Sequence, residues 1–469
     1  MRFPSIGPTC LLLCCGCAAT EAPTAYDAAT FYATTQMFGA SFSADGTRLL
    51  VTSDESGVFN AYALEIATGE RTQLTDSSSN ATYGIGWFPG DDRLLYTADE
   101  EGNELNHVFV RQPDGVSIDV TPGEGLKAGF AGWSGDDRSF FVTTNERDAR
   151  YFDLYRYAIA PSVPLEASGG RPTIGRYPRQ LVYENTEGYD VSEVSSDGRW
   201  VALTKVRNNA DSDVFLVDLE NAGSDPIHVT PHEGDISHGV QTFAPDGSKL
   251  YYGSNVGSEF GRVWSYDLAT GDRRLEYEAD WDVSFYDFSR DGRYLVVGVN
   301  EDAQTKVRLF DARTGEEIDL PEIPGGEVTG ISIERDGRRM AFYVNGDTSP
   351  SNLHVLDLAT GDYERLTDNL TGKISPDDLV AAEVVRYPSF DGLEIPALLY
   401  RPHRASSDDP APALVWVHGG PGGQSRKGYR PTIQHLVNHG YAVLAVNNRG
   451  SSGYGKTFFH LDDRKHGDV

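Results

Sequence analysis

Beyond residue 17 this chain contains no cysteine: Cys10, Cys14, Cys15 and Cys17 are the only four in 469 residues. The folded body is therefore expected to have no disulfide and no cysteine metal site. After the first residues no apolar run approaches the length that spans a bilayer. Positive charge is scarce as well, with 40 Lys and Arg against 70 Asp and Glu, a formal net charge of −30. That balance argues against nucleic-acid backbones and anionic membrane surfaces as partners, and reads as a solvated, self-repelling acidic surface. What the chain does have excludes disorder: 39% hydrophobic residues, 24 Tyr, 21 Phe and 50 Gly suit a β-rich globular protein with many tight turns. The length allows two or three domains, each with its own core.

The cysteines sit in a segment with one positive charge, Arg2, an apolar stretch through Leu11-Leu12-Leu13, and then Gly16-Cys17-Ala18-Ala19. This is the outline of an export signal, with an apolar part shortened by Pro4 and Pro8. Gly16-Cys17 before small residues resembles a bacterial lipoprotein cleavage site, at which Cys17 would carry the lipid. Cys14 departs from it, a leucine being usual there. Lipoprotein, plain secretion and an uncleaved segment all remain open. The expectation is export to the periplasm or cell envelope, with residues 1–23 as signal and tether and membrane contact only through a lipid at Cys17.

In residues 24–37, Tyr26 to Tyr32 has the character of a short helix. A pattern then recurs in which an aromatic or apolar residue precedes an Asp-containing turn, a basic residue and a β-rich run. Its instances begin Phe42-Ser43-Ala44-Asp45-Gly46, Phe88-Pro89-Gly90-Asp91-Asp92, Trp133-Ser134-Gly135-Asp136-Asp137 and Val194-Ser195-Ser196-Asp197-Gly198. Phe243-Ala244-Pro245-Asp246-Gly247, Phe288-Ser289-Arg290-Asp291-Gly292 and Ile333-Glu334-Arg335-Asp336-Gly337 complete the series. Measured between basic markers from Arg48 to Arg338, the steps are 45, 45, 61, 50, 44 and 45 residues. A period near 45 is that of a four-stranded propeller blade. The long step contains a Pro/Gly-rich loop insertion, Pro161 to Pro178. Residues 38–367 are thus predicted to form an all-β seven-bladed propeller, with Asp-Gly supplying the positive φ of its hairpin turns. The doublets Asp91-Asp92 and Asp136-Asp137 read as turns, since they lack the alternating spacing of calcium ligands.

Residues 368–383 read as a polar linker, and 384–469 change character. A hairpin over Glu383–Pro402 is followed by the apolar run Ala413–Val417, which reads as a buried strand. That run stops at His418-Gly419-Gly420-Pro421-Gly422-Gly423. Tyr429 to His439 has helical spacing closed by Gly440, and Tyr441 to Val446 is a further buried strand. It leads into Asn447-Asn448-Arg449-Gly450-Ser451-Ser452-Gly453-Tyr454-Gly455. Strand, strand, strand, helix, strand is the opening of a doubly wound sheet. His435 and His439 have zinc spacing, but with no glutamate between them and no third ligand they read as a solvated helix face. No metal and no cofactor are expected.

The propeller repeats resemble those of TolB and of the prolyl oligopeptidase family. The Asp391-Gly392 hairpin, His418-Gly419-Gly420-Pro421, Asn448-Arg449-Gly450-Ser451-Ser452-Gly453-Tyr454-Gly455 and Gly467-Asp468-Val469, in that order, are similar to that family's acylaminoacyl-peptidase and dipeptidyl-peptidase-like branch. The resemblance implies a propeller before the N-terminal part of an α/β-hydrolase domain, and a serine peptidase acting on short peptides between the two. Under it, His418, Gly419 and Gly420 shape an oxyanion loop, the Gly419 or Gly420 N–H being the donor. Arg449 organises the neighbouring loop, reaches the substrate carbonyl, or makes a structural salt bridge. Glu100 and Glu101, in the acidic loop Asp99–Glu104, are candidates for holding a substrate amine. Gly-x-Ser-x-Gly occurs nowhere in the chain, so no catalytic residue is assigned within it. Ser425 lacks the second glycine of an elbow, and Ser451 and Ser452 lack a strand-to-helix turn. Because the triad order is Ser, Asp or Glu, His, all three members are expected beyond Val469, and the 469 residues are expected to be inactive. The alternative is a non-catalytic TolB-like binding module with a degenerate hydrolase remnant.

Overall fold

A computed structural model of the chain describes residues 24–161, 177–221, 223–420 and 422–465. Cys17 and its signal-like surroundings, most of the Pro161–Pro178 stretch, and Gly467-Asp468-Val469 lie outside the described residues. From Met37 to Arg365 the described chain forms seven four-stranded antiparallel sheets in succession, each built from strands adjacent in sequence. Every strand order follows chain order, so no sheet borrows a strand from another.

Alternation along the strands gives each sheet two apolar faces, and successive sheets bury them against each other. Leu50, Ala61, Trp87 and Leu94 share one core between the first and second sheets. Phe88 and Val110 pack with Phe140 and Tyr157 between the second and third. The series returns on itself: Leu49, Val51 and Tyr62 of the first sheet pack with Ala341, Tyr343 and Leu353 of the seventh. Side-chain packing, rather than a shared strand, joins the ends.

The turn that recurs in the sequence has a local explanation. In Ser43-Ala44-Asp45-Gly46 the Ser43 hydroxyl donates to Asp45 Oδ1 (2.6 Å) and accepts from the Arg48 N–H (3.0 Å). The Thr47 N–H also donates to Asp45 (3.0 Å), and Gly46 has φ +70°. These donors, the Ser43 hydroxyl foremost, hold the Asp45 carboxyl down at about 2. Ser134 and Asp136, Ser195 and Asp197, and Ser289 and Asp291 repeat the bond. In the third sheet Asp137 takes the left-handed position, φ +58°, that glycine holds elsewhere. Its carboxylate receives Arg290 from the sixth sheet and Arg335 from the seventh, and Arg290 also donates to the Ser134 carbonyl (2.8 Å). Asp137 is thus more than the turn residue read from the sequence; it ties together turns 153 and 198 residues away.

An eighth sheet follows, with spatial order Glu383–Pro388, Glu394–Tyr400, Ala442–Val446, Ala413–Val417. Its last pair is parallel and the others antiparallel. Helix Pro431–Asn438, shorter at both ends than expected, covers one face with Ile433 and Val437 against Leu398, Tyr400 and Val443. The expectation of a buried strand at Ala413–Val417 is corrected. The strand lies at the edge, Trp416 is the one of its residues that packs on the core beneath the helix, and Val415 and Val417 are 66% and 62% exposed on the opposite face. Helix Ala28–Tyr32 is also shorter than expected, and residues 24–34 pack on this unit rather than on the first sheet. Phe31 is buried with Ile374 and Leu379, and the Tyr26 N–H donates to Asn438 Oδ1 (3.0 Å). The solvated face expected for the histidine pair is likewise corrected: His439 is exposed, but His435 lies half-buried with its ring edge-on to Phe31.

Candidate active-site loops and their docking face

The Gly-rich loop begins where strand Ala413–Val417 ends. Gly420 and Gly422 have φ of +63° and +82°, conformations that a side chain would strain. Among the described residues neither the Gly419 nor the Gly420 N–H meets an acceptor, and both residues are exposed. Main-chain N–H groups so placed can stabilise negative charge on an oxygen.

His418 Nε2 lies 2.8 Å from the Ser451 hydroxyl, which invites comparison with a base and its nucleophile. The hydroxyl proton is committed elsewhere. Ser451 is fully buried and its Oγ donates to the Asn448 carbonyl at 2.6 Å, so His418 donates to it instead of removing its proton. Ser425 is no better placed, being buried with its Oγ directed to the Val446 carbonyl (3.2 Å). Ser452 Oγ contacts the Gly423 carbonyl at 3.4 Å.

Asn447, fully buried, is the residue that organises the two loops, and the sequence reading passed over it. Its Oδ1 accepts the Ser425 N–H (2.6 Å), and its Nδ2 donates to the Ser425 carbonyl (3.1 Å) and to the Tyr454 hydroxyl (2.9 Å). Arg449 makes the salt bridge that was one of its three readings. It meets Asp391 at 2.6 Å and lies over the Phe390 ring, 5.0 Å from its centroid. The guanidinium and the Leu393 N–H hold the Asp391 carboxyl below its usual range.

Contacts from the ring position these loops. Asp347, buried at the tip of a seventh-sheet hairpin, accepts three donors: the Tyr400 hydroxyl (2.9 Å), the Gly428 N–H (3.0 Å) and the Ala382 N–H (2.9 Å). Gln434 clasps the same hairpin through the Asp347 carbonyl (2.8 Å). Arg426 bonds Asn300 (2.6 Å), Thr305 (2.8 Å) and Glu327 (3.0 Å). In the sixth sheet Asp302 and Ala303 both have positive φ, the demand of a tight two-residue turn. That strained turn delivers the fully buried Ala303 into the core of the eighth sheet and Asp302 to Arg386, 2.9 Å away. Nothing local in the sequence marks these residues. A charge between two strand runs, as at Asp347, is the only signal it carries.

Glu100 and Glu101 lie elsewhere. Both are exposed in a second-sheet loop ordered by Asp99 and Asn103, which accept the Glu104 N–H (3.0 Å) and the Leu105 N–H (2.9 Å). Among the described residues no hydrogen bond or ion pair joins this loop to residues 370–465.

A succession of four-stranded antiparallel sheets that returns on itself is the architecture of a β-propeller, here followed by one mixed sheet with a Gly-rich loop. The family model for the prolyl oligopeptidase N-terminal β-propeller domain matches residues 88–369, more than half of the chain. The chain belongs to the prolyl oligopeptidase family. It is 26% identical over 429 residues to dipeptidyl aminopeptidase BIII of Pseudoxanthomonas mexicana, covering 89% of this chain and 60% of the relative's length. It is 19% identical over 389 residues to the prolyl endopeptidase of Elizabethkingia meningoseptica, covering 77% of this chain and 50% of that enzyme. Among solved structures, a puromycin-hydrolysing peptidase of Mycobacterium tuberculosis superposes with a TM-score of 0.72 at 18% identity, covering 93% of this chain and 70% of that one. The relatives are peptidases, and the chain spans only half to three fifths of the length of these curated two.

Proposed function

We propose that the seven antiparallel sheets are the blades of one propeller. The eighth sheet is then the opening part of an α/β-hydrolase domain, and the whole is a serine peptidase that hydrolyses short peptides. The observation that carries this reading is the pair of exposed, unengaged N–H groups at Gly419 and Gly420, at the end of a strand, in a chain of this family. In this reading those groups stabilise the oxyanion of an attacked peptide carbonyl. Arg449 acts through Asp391, holding the loop after Val446 rather than touching substrate. Glu100 and Glu101 remain candidates for the substrate amine only if the substrate extends across the ring. Export, with a lipid at Cys17, is part of the same proposal.

The 469 residues by themselves are inactive in this reading, because the hydroxyls of Ser425 and Ser451 are committed to backbone carbonyls. A fluorophosphonate probe tests this directly: no labelling is expected of the 469-residue chain. Labelling that disappears in Ser425→Ala or Ser451→Ala would overturn it. Reading the coding region past codon 469 tests the peptidase assignment. A continuing frame with Gly-x-Ser-x-Gly supports it, and a stop codon there favours a binding module instead.

A further inference from the structure

A cavity of about 550 Å³ lies between the fifth and sixth sheets. It is remote from the eighth sheet. Strand Tyr294–Glu301 leads from Gly292, in the cavity wall, to the Asp302-Ala303 tip that the eighth sheet buries, a run of eight residues or about 25 Å. The partly buried rings of Tyr277, Phe288 and Phe310 line the cavity, so an incoming molecule meets aromatic surface.

Two further lining groups, Tyr251 and Tyr286, are 9% and 6% exposed, with ring centroids 5.1 Å apart. The Tyr277 hydroxyl beside them is engaged, accepting from Arg308 (2.9 Å). Those of Tyr251 and Tyr286 have no hydrogen-bond partner among the described residues, and neither oxygen is sealed off from the cavity. Burial above all raises both phenols, Tyr251 to about 12, so each keeps its proton. Glu276 lies close by. Its Oε1 accepts from Lys249 (3.1 Å) and from the Ser265 hydroxyl (2.7 Å), while its Oε2 is free among the described residues. Asp246 and Asp311 also line the cavity, each with Oδ1 taken by its own turn, through the Ser248 N–H (3.0 Å) and the Arg313 N–H (2.9 Å).

These groups discriminate between ligands. An anion would meet three carboxylates, those of Asp246, Glu276 and Asp311, against the single ammonium of Lys249. An ammonium ligand would meet Lys249 and, having no acceptor, would leave both phenolic protons unbonded. A hydroxyl group donates and accepts at once, and so suits the two phenols, Glu276 Oε2 and Lys249 together. The C–H face of a pyranose ring, slightly positive, suits the negative faces of the aromatic rings. The volume is within the range of small-ligand sites.

We propose that this cavity binds a neutral sugar of one or two pyranose rings, with the Tyr251 and Tyr286 hydroxyls bonding the hydroxyl groups of the ligand. The site belongs to the ring of sheets alone and does not rest on the peptidase reading.

The test reads binding, not turnover. The probes are methyl β-D-glucopyranoside, maltose and choline, each titrated into the 469-residue chain at millimolar concentration and followed by saturation-transfer NMR and calorimetry. At least one sugar should bind, with transfer to its ring C–H protons, and choline should not. Replacing both Tyr251→Phe and Tyr286→Phe should weaken sugar binding about tenfold. The melting temperature should hold, since neither hydroxyl makes a hydrogen bond within the described protein that phenylalanine would remove. Binding of neither sugar, equal sugar binding by wild type and the double variant, or binding of choline instead would overturn the proposal. If the double variant does not fold, Tyr286→Phe alone should weaken sugar binding about threefold, and an unchanged affinity would overturn the proposal in the same way.

Discussion

The seven-sheet ring and the eighth sheet solve the same problem differently. In the ring every sheet finds a partner for both faces in its neighbours, and the series returns from the seventh sheet to the first. The eighth sheet has one face covered by helix Pro431–Asn438 and the other bare at Val415 and Val417. It completes its core with Ala303 and anchors itself on Asp347, both taken from the ring. A repeat can be self-sufficient because each unit supplies what the next one needs. A single small sheet cannot, and it must borrow.

The largest effect expected from that difference is on separated pieces. Residues 37–367 alone should unfold cooperatively in urea. Residues 368–465 alone should lack native near-UV dichroism and aggregate through the Ala413–Val417 edge. A cooperative melt of the second piece would erase the distinction. Next is Asp347→Ala in the full chain, which strands a hydroxyl and two N–H donors away from water. It should cost about 3 kcal/mol in urea unfolding, with signals of the eighth sheet lost before those of the ring.

Within the ring, Asp137→Ala removes the anion between Arg290 and Arg335. These side chains are about one-third exposed, so the expected loss is about 1 kcal/mol and should shrink in high salt. A loss unaffected by salt would point to the turn geometry instead, since Asp137 also holds φ +58°.

The last expected effect appears only as pH rises. Glu193, on the first strand of the fourth sheet, is pushed up to about 8 by burial and then by Asp287. Its carboxyl ionises near the ordinary 4.5 when unfolded, so the folded state holds the extra proton between the two values. Stability from this group is complete below about 4.5 and falls as pH climbs through 8. Glu193→Gln should therefore melt higher than wild type at pH 8.5, by about 2–4 °C for each kcal/mol relieved, and converge with it near pH 4. No convergence would mean that the glutamine acts by packing rather than by charge.

Much of the ring was legible before any coordinates. Turns such as Ser43-Ala44-Asp45-Gly46 bond within five residues, so their chemistry repeats in the sequence as plainly as in space. The Gly-rich turn after Val417 was legible for the same reason: glycines after an apolar run carry their conformational meaning locally. Other features were not. Ala413–Val417 looked buried because its residues are apolar, and the exposure of Val415 and Val417 depends on what covers that face of the sheet. Asn447 looked like a loop residue because its partners are 22 residues back at Ser425 and 7 ahead at Tyr454.

The chain by itself determined how many times a four-stranded unit is written and where each one turns, because hairpins are decided by neighbours along the backbone. Only the tertiary structure decided which hairpin tips carry the second unit, which hydroxyls near His418 have already committed their protons, and which phenols facing a cavity are left without a bond. Those outcomes depend on residues tens to hundreds of positions apart meeting where water cannot satisfy them, and no stretch of sequence records such a meeting.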